Sequence, residues 1–143
     1  MATMIAAITT TAVFSVVLSS YVSDSKADKR DAASMLLKRA QDTLKSYVSA
    51  VPSDANYVPV SANGCVGCWS ADSYGGWALA AGTHDISSLM NGGNNPALNP
   101  TGAACSGGSS VCGIWYTVTD SDCGGGTGPG ACKRVAFRLV YTD

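Results

Sequence analysis

From Met1 to Ser23 the chain carries no charged side chain, and the first residue able to break a helix is Pro52. A charge-free stretch running without Gly or Pro into a second, amphipathic stretch constrains residues 1–51 to one extended helix. The larger apolar members of the front part are Met1, Ile5, Ile8, Val13, Phe14, Val16, Val17, Leu18 and Val22. Thr3, Thr9, Thr10, Thr11, Ser15, Ser19 and Ser20 dilute them. About 20 apolar residues suffice to span a bilayer, which makes this run a transmembrane-helix candidate. Its small and hydroxylated side chains allow close helix–helix contact, so the composition suits a helix packed among other helices. No basic residue precedes the run as a signal peptide would require. The expectation is a basic leader already removed, with Met1 the first residue of the processed chain.

Charges begin at Asp24, and the period becomes helical. Ala33, Leu36, Leu37, Ala40, Leu44, Tyr47, Val48 and Val51 recur at steps of three and four, one stripe along the helix. Lys26, Lys29, Arg30, Lys38, Arg39 and Lys45 lie mostly off that stripe. A 51-residue helix would be about 75 Å long. A small globule cannot bury that length, so the front half is expected to project. The division is therefore a helical stem, residues 1–51, and a head, residues 52–143.

The head is too small to be secure on apolar burial alone. Its six cysteines, Cys65, Cys68, Cys105, Cys112, Cys123 and Cys132, are the only ones in the chain. An even number confined to a small domain points to disulfides and an oxidising compartment. Six cysteines admit many pairings. Nearest neighbours, Cys65–Cys68, Cys105–Cys112 and Cys123–Cys132, are preferred because each pair spans a turn or loop. The overall net charge of −1 divides into a basic segment over residues 24–45 and an acidic head, and neither is strong enough to imply a nucleic-acid partner.

Two head segments alternate with period two. Cys112–Thr119 places Ile114, Tyr116 and Val118 on one face and Trp115, Thr117 and Thr119 on the other. Arg134–Thr142 does the same with Val135, Phe137, Leu139 and Tyr141 against Arg134, Ala136, Arg138 and Val140. Both read as half-buried strands, joined by the Gly-rich turn segment between Asp120 and Ala131. Gly76–Gly82 is a third candidate strand. Thr83 is placed to cap a short helix reaching Met90, and 91–110 reads as a long surface loop.

Candidate chemistry is sparse. Cys65-Val-Gly-Cys68 could be a redox pair, half a metal site or a haem attachment. Trp69 stands where haem attachment needs His, a zinc site needs further ligands, and no βαβ context surrounds the pair. A structural clip is the plainer reading. His84 and Asp85 suggest a triad, but a Gly-x-Ser-x-Gly turn is missing, which leaves His84 as a surface or loop residue. Asp120 and Asp122 could take calcium, and Trp69, Tyr74 and Trp77 could stack on sugars. Ordinary turn chemistry for the aspartates and core or sheet-face packing for the aromatics are the plainer readings. Neither a cofactor nor enzymatic activity is expected.

The stem resembles that of type IV pilins and the related pseudopilins. The resemblance rests on the uninterrupted passage from the apolar segment, with Met1, Ile5 and Ile8, into Arg30-Asp31-Ala32-Ala33-Ser34-Met35-Leu36-Leu37-Lys38-Arg39-Ala40. The ending Cys132-Lys133-Arg134-Val135-Ala136-Phe137 is similar to the closing Cys and last strand of that family. It implies an α+β fold, a long helix packed on a four-stranded antiparallel sheet with disulfide-clipped loops. It also implies a methylated first residue, anchoring in the inner membrane before assembly, and an extracellular homo-oligomeric filament with a part in adhesion. Met1, Ile5, Ile8, Val13, Phe14, Val16, Val17 and Leu18 would pack the filament core. Two departures stand out: Ile5 replaces the usual Glu, and Val22 the usual Pro. The first leaves a minor pilin or pseudopilin as an alternative. A membrane-anchored secreted binding domain that never polymerises is the alternative from another class.

Overall fold

The computed structural model describes residues 2–48, 54–91, 93–109, 111–122 and 132–142, with side chains described from Ser23 onward. Helix α1 runs Ala2–Lys45. Three strands follow, β1 (Gly82–Asp85), β2 (Gly113–Ser121) and β3 (Cys132–Val140), with a 3-10 turn at Ser87–Met90. They form an antiparallel sheet in the order β1-β2-β3, which makes the fold α+β. Three strands are seen among the described residues where the resemblance implied four.

The predicted stripe is the face by which α1 meets the head. Ala33, Leu36, Ala40 and Leu44 are buried, with Tyr47 just beyond the helix, and Leu37 packs at the margin. Val48 is 69% exposed, against the expectation. The reason is where the helix stops. Ser46, Tyr47 and Val48 donate backbone N–H groups to the carbonyls of Thr43, Leu44 and Lys45, and the Ser46 hydroxyl takes the Thr43 carbonyl as well. These three-residue steps tighten and end the last turn, so helical periodicity no longer directs Val48. The expected continuation to Val51 leaves the described residues after Val48. Farther up, the Lys29 ammonium donates to the carbonyl of Thr142, tying α1 to the end of the chain.

The alternation read in β2 and β3 is the observed facing. Ile114, Tyr116 and Val118 are buried and lie across from Leu139, Phe137 and Val135. Together with Leu36, Leu44, Trp69, Leu79, Ile86, Met90 and Leu98 they make one core between helix and sheet. Each fully buried aliphatic side chain of this kind contributes about 1.5–3 kcal/mol. On the opposite face Arg138 lies over the Trp115 ring, 5.5 Å from its centroid. Lys133, Arg134 and Arg138, the only lysine and arginines beyond Ser46, all sit on β3, at the edge of the sheet.

The third strand is not where the sequence placed it. Residues 76–81 form turns and bends with one bridge, Trp77 to Cys68, and β1 begins at Gly82, pairing Thr83, His84 and Asp85 with Thr117, Tyr116 and Trp115. Thr83 is thus a strand residue facing Thr117 and does not cap a helix. Beyond Asp85 the ladder is continued by other groups. Ile86 N–H donates to the Ile114 carbonyl, and the buried Ser87 hydroxyl accepts from Ile114 N–H.

Candidate functional site

Two parts of the molecule carry the functional question: α1, and a buried polar cluster at the centre of the head. Ile5, Ile8, Val13, Phe14, Val16, Val17 and Leu18 fall within the bounds of α1, whose later part reaches the core at Ala33. Their side chains, and Met1 altogether, lie outside the described residues. Among the described residues no helix is long and apolar enough to cross a membrane.

Past its buried stripe, the second half of α1 presents a wet face. Asp24, Asp28, Asp31, Lys38 and Arg39 are all exposed, and Met35, on the same side, is 73% exposed. Asp42 is already engaged by Lys45 at 2.9 Å. The Lys45 hydrogen bond and then its charge hold the Asp42 carboxyl below the usual range.

The buried cluster centres on His84. The residue expected at the surface is wholly buried, because β1 pairs it with Tyr116 on the core side of the sheet. Its Nδ1 lies 2.5 Å from Asp72 Oδ2, and its Nε2 lies 2.8 Å from the Ala80 carbonyl. A carbonyl only accepts, so Nε2 carries a hydrogen. When Nδ1 carries one too, the ring is an imidazolium paired with Asp72. Burial alone would discharge it. The hydrogen bond and charge of Asp72, with the Ala80 carbonyl, outweigh that penalty and raise the imidazole above its ordinary value. Tyr116 completes the group. Its hydroxyl donates to the Ala78 carbonyl at 2.8 Å, with Asp72 Oδ2 3.3 Å away. Burial first, then the neighbouring Asp72 charge, pushes its phenol far up. Asp72 Oδ1 accepts Tyr74 N–H. The rings of Tyr47, Trp69, Tyr116, His84 and Tyr74 follow one another in contact through the head.

This arrangement ties the 72–80 loop region to β1 and β2. Both nitrogens of His84 are occupied, so neither can take a proton from a nucleophile. Asp85 does not orient His84. Its oxygens accept the N–H groups of Ser87 and Gly107, fastening the 91–110 loop region to the sheet. Burial opposes its ionisation, but the bonds from Ser87 and Gly107 prevail and lower its pKa.

Cys65–Cys68 and Cys105–Cys112 are disulfides as expected. Cys132 is disulfide-bonded, and its expected partner Cys123 lies outside the described residues. Trp69 is a core residue, whereas Tyr74 is half exposed, so Trp69, Tyr74 and Trp77 do not share one surface. Asp120 is paired with Lys133, the neighbour opposite it on β3. Among the described residues no three His, Cys or Asp side chains gather as a metal site would require. Sequence reasoning missed Asp72 and Tyr116 as partners of His84, since nothing local marks a loop aspartate as the mate of a strand histidine.

Comparison with known proteins returns no matching family model, no matching curated protein and no matching solved structure.

Proposed function

We propose that this chain is a structural subunit of a type IV pilus-like extracellular filament. In this reading the apolar front of α1 anchors it in the inner membrane before assembly and packs among the stems of other copies afterwards. The head is carried outward, and the chain works by geometry, not by bond chemistry. The observation that carries the reading is the continuity of α1. One helix, Ala2–Lys45, joins an uncharged stretch to a segment bolted into the head core by Leu36, Ala40 and Leu44. A straight helix of that length extends about 66 Å, whereas a head of roughly 100 residues is near 13 Å in radius of gyration. The front of such a stem projects beyond the head and needs an apolar environment. Its many Ala, Ser and Thr side chains suit close packing against like helices.

The absence of any carboxylate from the uncharged stretch favours a second reading within the same class, a minor pilin or pseudopilin present in few copies. Electron microscopy of material sheared from producing cells tests the proposal, with antibody to the head as the label. Thin filaments labelled along their length are expected. Label confined to filament tips selects the minor subunit. Recovery of the chain only as a membrane-bound or soluble monomer would replace the reading with that of an anchored binding domain.

A further inference from the structure

The exposed side of α1 is polarised along its length. At the helical angle of about 100° per residue, Asp24, Asp28, Asp31 and Met35 fall within a sector about 60° wide, roughly opposite the buried stripe. Asp24, Asp28 and Asp31 are exposed, and among the described residues no ion pair joins them to another side chain. Farther along, Lys38 and Arg39 flank the same sector and are exposed as well. Asp42 lies between them in angle, but Lys45 neutralises it. One face of one helix thus passes from three negative charges to two positive ones, with centres about 16 Å apart along the axis.

We infer that this face is a self-docking surface whose occupant is a second copy of this chain, parallel and shifted by about 16 Å along the helix axis. The shift sets Asp24, Asp28 and Asp31 of one copy beside Lys38 and Arg39 of the next. An antiparallel pair would also match the charges, but it would send the two uncharged front stretches to opposite ends, each without apolar company. The parallel arrangement lays them side by side, where burial is favourable at about 25 cal/mol per Å². The contact is heterologous. Each copy uses its acidic end on one neighbour and its basic end on another, so the pattern propagates without closing. The inference rests on the filament reading and adds to it the contact that sets the stagger between subunits. Charge contributes register and rejection of wrong registers more than raw affinity.

The test uses the full chain in producing cells. Filament yield is measured for Asp28→Lys/Asp31→Lys, for Lys38→Asp/Arg39→Asp, and for the chain carrying all four changes. Each double variant should lower the yield about tenfold or more, since two attractive contacts per interface become repulsive, and the combined chain should recover it. Circular dichroism checks that the variants fold, as the substituted side chains lie away from the core. Wild-type filaments treated with a zero-length carbodiimide should give a peptide joining Asp28 or Asp31 to Lys38. Within one chain Asp31 and Lys38 stand about 10 Å apart along the helix, so that link forms only between copies. Wild-type filaments whose yield neither double variant alters would overturn this contact and leave the filament reading intact. A cross-linked species that stops at a dimer would overturn the parallel, propagating arrangement. A wild-type chain that forms no filament would overturn the reading on which the inference rests.

Discussion

His84 and Tyr116 lie face to face, with 4.7 Å between ring centroids and 4° between ring planes. The stack places the imidazole flat against a phenol while Asp72 reaches both, the histidine at Nδ1 and the tyrosine at its hydroxyl. When protonated, the buried ring is tolerated because both of its donors are taken.

The stability of the head should therefore depend on pH with a definite sign. His84 has a folded pKa raised above that of the unfolded chain. Its contribution is complete below the unfolded value of about 6.5 and is lost as pH rises through the folded one. Thermal melts followed by circular dichroism should show a falling midpoint on that alkaline side. Asp72→Asn should reverse the slope, because a neutral His84 can accept from the new amide and a buried imidazolium then has no counter-charge. A variant whose melting midpoint keeps the wild-type slope would contradict the ion pair.

Leu36→Ala should destabilise the head by about 2–5 kcal/mol. Leu36 is 5% exposed within the core cluster, and a close-packed core relaxes only in part around a deleted side chain. Urea titration provides the measurement. Met35→Ala, one residue away and exposed, should change the midpoint little.

Gly113→Ala should also be costly, for a different reason. A Cβ at Gly113 would run into the backbone carbonyl of Ser106, which is held in place by the Ser106 N–H bond to the Cys112 carbonyl. The relief has to come from the backbone, at about 1–3 kcal/mol. Gly75 has open space around it, but its φ of +72° makes Gly75→Ala a test of backbone strain alone.

Replacing Cys105 and Cys112 together by Ser should cost about 2–3 kcal/mol, the loop-closure value for so short a loop. Denaturant melts of the double variant against wild type read this directly. Peptide mapping without reduction should return Cys65 with Cys68 and Cys105 with Cys112. A free thiol at any of these four would contradict the structure.

Val13→Asp should abolish filaments, because a carboxylate at the middle of the uncharged stretch has no evident partner and is repeated in every copy. A fragment starting near residue 26 should still fold as a soluble monomer, since Ala33, Leu36, Ala40 and Leu44 remain with it. If that fragment formed the same filament by itself, the stem would not be the assembling element.

What could be read in advance was local and periodic. Ile114, Tyr116 and Val118 alternate with Trp115 and Thr117 strongly enough to fix the facing of β2. Ala33, Leu36, Ala40 and Leu44 repeat at helical steps, and the two short-range disulfides are the nearest-neighbour pairs that loop spacing favours without deciding. What could not be read depends on partners distant in the chain. Gly82–Asp85 has no strand signature of its own and becomes one by pairing with β2. His84 is buried because Asp72, in a loop 12 residues earlier, and Tyr116, on the next strand, converge on it. Val48 keeps the period but lies past the end of the helix that gave the period meaning.

The placement of Lys133, Arg134 and Arg138 on β3 bears on crowding. A strand at the rim of a sheet offers a ladder of unused amides to any strand that drifts alongside. Copies of this head held shoulder to shoulder would meet at such rims again and again. Two β3 rims approaching each other bring like charges together along their length, and that repulsion discourages fusion of sheets from neighbouring copies. If copies do assemble as proposed, the last strand would both complete the fold and, through Arg134 and Arg138, discourage neighbouring heads from merging.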